Sequence, residues 1–321
     1  MPTIATPTAV IALGGNALAP AGEKSTIYDQ FRHTRASLGP IVDLAHDGWN
    51  VCVVHGNGPQ VGDELVRNES ARREASPLPL GVLVAATAGW IGYMVQQSVE
   101  NALRRAGSTR DVATVITQVE VQLDDPALRS PTKFIGQALT DDRVKELRRD
   151  GHVVKADGRG NLRRVVGSPD PQAIHELRVI KGLVEGGTIV IACGGGGAPI
   201  YLDPVKGWEG LDAVIDKDLA AAVLARDLGA QLLVIMTDVD AVYADWGTPQ
   251  QRPLRRLTTD EASAMDRAGA FGEGSMAPKI RASIDFVRRT GGRAIITELS
   301  RGREAVRGDA GTTITATAEK A

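Results

Sequence analysis

Lys133, Lys217 and Lys279 stand where a loop runs or a helix opens, in the strings SPTKFIG, AVIDKDLAA and GSMAPKI. Lysine is scarce here: nine lysines and 28 arginines make up the 37 basic residues. An ammonium is a compact point charge on a flexible stem, whereas a guanidinium is a broad planar fork. Lysines at such positions suit a site that holds several phosphate charges. Phosphoryl transfer needs that inventory, because its catalysis is mainly positioning and electrostatic stabilisation of charge on the moving group. Asp218, next to Lys217, is placed to orient lysines that would otherwise repel one another.

Three apolar runs end in glycine-rich loops: Gly14-Gly15-Asn16, Gly56-Asn57-Gly58 and Gly194-Gly195-Gly196-Gly197. Glycine lets backbone N–H groups come close to a ligand, and N–H groups at a helix start form an anion cradle. One such loop is ordinary turn-making; three of them favour anion binding. The stretch Thr237–Tyr243, with Asp238 and Val239 inside it, follows the apolar run Leu232–Met236. It reads either as a loop that seats a purine base or as an acidic turn. The P-loop string GxxxxGK[ST], the dinucleotide fingerprint GxGxxG and the nucleophile elbow GxSxG are all absent. His55, beside Gly56, is placed to touch a ligand, while the other four histidines lack metal-ligand spacing. Cys52 and Cys193 lie in apolar runs and read as small buried hydrophobes.

These residues need a frame, and the hydrophobic pattern supplies one. Strand-like runs at Ala9–Leu13, Val51–Val54, Val112–Thr117, Thr188–Cys193, Gln231–Met236, Arg293–Thr297 and Thr312–Thr315 alternate with helical segments. The helices are expected over Asp29–His46, Pro59–Arg73, Leu80–Ala106, Ala173–Glu185, Asp216–Leu228, Thr258–Arg267 and Ala277–Arg289. This alternation predicts an α/β protein, a mostly parallel central sheet with helices on both faces. No linker divides residues 1–321, so one domain is expected. Residues 121–172 break the pattern as a polar excursion, expected as a lid with a short helix at Asp141–Arg149 and a hairpin of Val153–Lys155 with Leu162–Val166. A net charge of -2 argues against a nucleic-acid footprint. No leader pattern or membrane-length apolar run is visible, so a cytoplasmic protein is expected.

Eight strings in order, VIALGGNAL, VVHGNGPQVG, SPTKFIG, RRVVGSPDP, VIACGGGGAPI, AVIDKDLAA, MTDVDAVY and GSMAPKI, resemble the carbamate kinases of the amino acid kinase family. The resemblance runs from about Ala9 to Thr315. It implies the three-layer α/β/α amino acid kinase fold and the reversible reaction of ATP and carbamate to ADP and carbamoyl phosphate. It further implies Mg²⁺ carried mainly on nucleotide phosphates, a homodimer, and flux toward ATP synthesis in arginine or carbamoyl phosphate catabolism. The N-terminal half would hold carbamate and residues 188–321 the nucleotide. By motif position, Lys133, Lys217 and Lys279 match the catalytic lysines and Asp218 the acid that organises them. Gly14, Gly15, Asn16, Gly56, Asn57, Gly58 and Gly194, Gly195, Gly196, Gly197 match the substrate and phosphate loops. Thr237, Asp238, Val239, Tyr243, Ser275 and Met276 fall in the nucleotide-binding strings. Asn16, where the wider family carries a lysine, favours carbamate over an acylated amino acid. Phe134 and Gly167 stand where the family pattern leads one to expect proline, and Leu162 where it leads one to expect tryptophan. All three lie in the lid. The alternatives are a kinase of another small carboxylate or phosphate acceptor, such as acetylglutamate or UMP, and a nucleotide-binding regulator without catalysis. The GGNAL loop and lid lysine speak against the first; the retained lysines and Asp218 weigh against the second.

Overall fold

A computed structural model describes residues 6–19, 26–158, 160–271 and 276–317, with Asn16 and Ala17 described by backbone alone. The first half of the chain runs β1 (Thr8–Leu13), α1 (Gly15–Leu18), α2 (Ile27–Ala36), α3 (Gly39–His46), β2 (Asn50–His55), α4 (Gly58–Ser70), α5 (Leu80–Arg105), β3 (Val112–Thr114) and β4 (Gln118–Glu120). An excursion follows, with α6 (Pro126–Arg129), β5 (Lys133–Ile135), α7 (Asp141–Arg149), β6 (Val153–Ala156) and β7 (Leu162–Val166). The chain then continues through β8 (Ala173–Ile174), α8 (Leu177–Glu185), β9 (Ile189–Ile191), β10 (Ala198–Asp203), β11 (Gly207–Gly210), α9 (Lys217–Asp227) and β12 (Leu232–Thr237). It ends with β13 (Val242–Ala244), β14 (Arg252–Leu254), β15 (Arg256–Thr258), α10 (Thr259–Arg267), α11 (Met276–Thr290), β16 (Arg293–Glu298), α12 (Gly302–Arg307) and β17 (Thr312–Thr315).

The principal sheet has eight strands in the order β15-β17-β16-β12-β1-β2-β9-β3. Neighbours are parallel except for the antiparallel pair β16–β17. Strands covered on both faces read as unbroken apolar runs, and β1 is buried along its whole length. Its successive residues enter different cores. Val10 and Ala12 pack with the buried faces of α8, α9, α10 and α11, whereas Ala9, Ile11 and Leu13 pack with α3, α5 and α12. The result is the expected three-layer sandwich. The strands order outward in opposite directions from β1 and its neighbour β12, and such a reversal leaves a crevice at the carboxyl ends of the strands. There Gly14 N–H donates to the Met236 carbonyl at 3.0 Å.

Several local expectations shift for identifiable reasons. The segment Asp29–His46 forms two helices, because Pro40 sits at the start of α3 and favours a fresh helix there. A capping box of Thr26 and Asp29 opens α2. The run Val112–Thr117 leaves the main sheet after Thr114, and the helix expected from Ala173 begins at Leu177, after β8. Ala173 and Ile174 go instead to a second, four-stranded sheet, β11-β10-β4-β8, whose strand β4 begins just beyond Thr117 and which the sequence pattern does not announce.

The excursion leaves after β4 and returns at β8, and these two strands pair antiparallel at its base. Its outer part is the three-stranded sheet β5-β7-β6, all antiparallel, covered by α7. Val144, Leu147 and Val154 make a small core of its own. Ile135 and Val166 instead join Val61 and Leu65 of α4 and Leu83 and Val84 of α5. Two glycines set the seam: a Cβ on Gly62 would fall 2.0 Å from the Gly136 Cα, and Gly136 N–H donates to the Gly58 carbonyl at 3.0 Å. Beyond it, Glu69 of α4 pairs with Arg143 and with Arg164, the latter at 2.7 Å.

Candidate active site

The N-terminus of α9 gathers the charged groups. Asp216 caps the helix, its Oδ1 accepting from the N–H groups of Asp218 (2.8 Å) and Leu219 (3.4 Å). Its Oδ2 accepts from Lys133 Nζ at 2.5 Å, which brings strand β5 of the excursion onto the helix start. Asp218 Oδ1 accepts from Lys217 Nζ, and its Oδ2 accepts from Lys279 Nζ of α11 at 3.1 Å. Three ammonium groups thus share two carboxylates, leaving one positive charge in excess. The helix dipoles of α9 and α11 point their positive ends at the same place.

Burial and pairing tune these groups against each other. Burial raises the Asp218 carboxyl, yet the charges of Lys217 and Lys279 more than offset it and hold it below the ordinary value of 3.8. Asp216 likewise stays low, because Lys133 and Lys279 overcome its desolvation. Lys217 is pushed down, by burial first and by Lys279 among its neighbours, although Asp218 works the other way. For Lys279 the balance reverses: burial lowers it, but Asp218 and Asp216 together carry it above 10.5.

The glycine loops meet around this cluster with almost no space between them. A Cβ on Gly56 would stand 2.7 Å from Gly15 N and 3.3 Å from Lys217 Cδ, so the lysine stem lies along the second loop. A Cβ on Gly195 would lie 2.3 Å from Asn57 Nδ2, and one on Gly194 2.6 Å from His55 Nε2. Gly196, at φ +93°, backs onto the Ile215 carbonyl, where a Cβ would stand 2.3 Å from the oxygen. The run of glycines is therefore what lets β9, β2 and the start of α9 converge. Gly14 and Gly15 belong to the same junction; Asn16 is placed there by its backbone in α1. Asn57 Nδ2 donates to Thr87 Oγ1 of α5 at 2.9 Å.

His55 is fully buried behind Gly194, not at the face of the loop. Burial drives its pKa down to about 4, and its Nδ1 lies 3.1 Å from the Gly56 carbonyl. Cys52 and Cys193 are buried as expected, and burial pushes the Cys52 thiol up to about 12.

On the other side of the crevice, Thr237 ends β12 and donates through Oγ1 to Asp238 Oδ1 at 3.1 Å. Asp238 is exposed and adds to the negative charge felt by Lys279. Val239 is half-buried, and Met276 is the first residue of α11. Tyr243 donates to Asp240 Oδ1 at 2.7 Å, and its ring meets Trp246 edge to face at 5.3 Å. Ser275 lies outside the described residues. Among the described residues no three His, Cys, Asp or Glu side chains gather to hold a metal. Asp216 and Asp218 are committed to lysines.

Sequence reasoning passed over three of these groups. Asp216 reads as a helix cap, and its tie to Lys133 spans 83 residues of chain. Thr87 lies in an apolar helix with nothing to mark it, and Trp246 follows the acidic turn unremarked.

The amino acid kinase family model matches residues 7–298. The chain belongs to the amino acid kinase family. Within that family it is similar to the carbamate kinase of Halobacterium salinarum, 48% identical over 308 residues, covering 95% of this chain and 97% of that protein. Among solved structures, carbamate kinase from Giardia lamblia bound to citric acid superposes with a TM-score of 0.91 at 37% identity, over 97% of this chain and 99% of that one. The same enzyme bound to AMP-PNP gives 0.87 with the same identity and coverage. The amino acid kinase layout, with two halves of one sheet meeting at β1 and β12, is thus shared over nearly the whole chain.

Proposed function

We infer that this protein is a carbamate kinase, interconverting carbamoyl phosphate plus ADP with carbamate plus ATP, and that it runs toward ATP in the cytoplasm as a homodimer. The observation that carries the reading is the convergence of Lys133, Lys217 and Lys279 on Asp216 and Asp218, with one positive charge to spare. In the ATP-forming direction, the bond from phosphorus to the carbamate oxygen breaks as a terminal oxygen of ADP bonds to phosphorus. No proton needs to move in that step. What the site must do is place the two anions in line and meet the charge on the transferring oxygens.

The loops after β1, β2 and β9 offer backbone N–H groups to the carbamoyl phosphate side. Lys279 stands nearer the nucleotide side, because it feels the charge of Asp238 in the loop after β12. Lys217 lies between, its stem against Gly56. Lys133 enters from the lid, so closure delivers a cation and excludes water together. Mg²⁺ carried on the nucleotide would neutralise phosphate charge, and the chain's own carboxylates remain with the lysines. Asp218 keeps two ammonium groups at fixed places, which is the preorganisation that electrostatic catalysis requires.

The test is direct. Pure protein with ADP, Mg²⁺ and carbamoyl phosphate is expected to make ATP, and no ATP above the uncatalysed background would overturn the reading. Sedimentation at micromolar concentration checks the dimer, which a monomer would contradict.

A further inference from the structure

The Asn57 side chain is almost fully buried between two loops of the site, and its amide is held in one orientation. Thr87 is the reason. Its hydroxyl hydrogen is taken by helix carbonyls, those of Leu83 (2.9 Å) and Val84 (2.8 Å). Only lone pairs remain toward Asn57, so the amide must present its Nδ2 there, at 2.9 Å. The amide oxygen is then turned away from Thr87, and the amide lies flat against Gly195, where a Cβ would stand 2.3 Å from Nδ2 and 2.9 Å from the oxygen. Among the described residues no donor reaches that oxygen. That oxygen is not among the side-chain atoms sealed from solvent without a partner, so it stays reachable from the site, and at a substrate loop the natural partner is a substrate N–H.

We propose that Thr87 is a positioning residue that turns the Asn57 oxygen toward the substrate, so that the site selects a carbamoyl group, which carries N–H, over acyl groups that do not. This rests on the carbamate kinase reading. Carbamoyl and acetyl phosphate differ by an amino group against a methyl of nearly the same size, so shape alone separates them poorly. A fixed acceptor separates them well: the amino group donates to it, whereas a methyl leaves it buried and unpaired. Without Thr87 the amide is free to flip, and its NH₂ face then meets the substrate amino group donor to donor.

The experiment compares Thr87→Val, which keeps the shape and removes the acceptor, with Thr87→Ser, which keeps the hydroxyl. Dissociation constants for carbamoyl phosphate and acetyl phosphate are measured by thermal shift without ADP, so that neither turns over, alongside kcat/KM for carbamoyl phosphate. For Thr87→Val, carbamoyl phosphate is expected to weaken by about tenfold or more while acetyl phosphate stays within about twofold. Thr87→Ser keeps the wild-type ratio. Should the valine protein fail to fold, Thr87→Ala carries the same expectation. Equal weakening of both ligands, an unchanged ratio, or the same loss in Thr87→Ser would overturn the proposal. A wild-type protein that neither binds nor turns over carbamoyl phosphate would instead defeat the functional reading on which it stands.

Discussion

Lys279 reaches Asp218 across 61 residues of chain, Nζ to Oδ2 at 3.1 Å, on the oxygen that Lys217 leaves open. Each lysine sits in the first turn of its helix, where a cation opposes the dipole. One buried carboxylate between them resolves both conflicts. It also splits their behaviour, since burial and like charge pull Lys217 down while Lys279 is carried up.

That split makes a prediction about the two lysines. Replacing either by methionine removes a preorganised cation and is expected to lower kcat by about 10²-fold or more. Stability, however, should separate them. The charged form of Lys217 is disfavoured by folding and that of Lys279 is favoured, so Lys279→Met lowers the melting temperature more than Lys217→Met does. Calorimetry of the two variants checks the order; equal losses would show that the two ammonium groups are equivalent.

His55 should shape stability in mild acid. The unfolded ring takes a proton as pH falls below 6.5, whereas the buried ring resists until about 4. Between those values the unfolded state binds more protons, so stability falls with pH, by at most about 1.4 kcal/mol per pH unit from this group. Below about 4 both states are protonated and the contribution to the slope ends. Urea midpoints from pH 7 to pH 4.5 should fall less steeply in His55→Gln than in the wild type. Parallel curves would refute the assignment.

Two glycines with nearly equal φ offer a clean contrast. Gly187, at +88°, has open space where a Cβ would go, and Gly196, at +93°, has the Ile215 carbonyl. Gly187→Ala is expected to cost only the left-handed strain, about 1–2 kcal/mol, with activity retained. Gly196→Ala must in addition displace the backbone entering α9, and is expected to lose activity along with stability. Chemical denaturation and the ATP assay together check this; full activity in Gly196→Ala would contradict the packing described.

How far the sequence discloses this molecule depends on the range of the signal. The helix Asp141–Arg149 and the strand Thr312–Thr315 follow from local pattern, and the structure places them there. Lys217, Asp218 and Lys279 stand in strings that keep their order along the chain, and folding brings them together. The tie between Lys133 and Asp216 is different. Each residue has an innocent local reading, and only the fold puts the lid strand over the helix cap. Strand β11, Gly-Trp-Glu-Gly, has no apolar alternation to betray it and is formed by pairing with β10. Thr87 shows the limit most clearly, because a threonine in an apolar helix discloses nothing until Asn57 is seen to lean on it.

The seam between Gly62 and Gly136 works as a depth stop. Main chain rests on main chain there, so the seating height of the lid is machined into the backbone and owes nothing to rotamers. Lys133 lies three residues upstream, at the start of β5, and inherits that tolerance. Shimming the seam with a single methyl would lift the strand by roughly 1 Å, a misplacement of the kind that costs about 10²-fold in rate. The reach of the lid cation is thus calibrated at a point where the protein has no side chains.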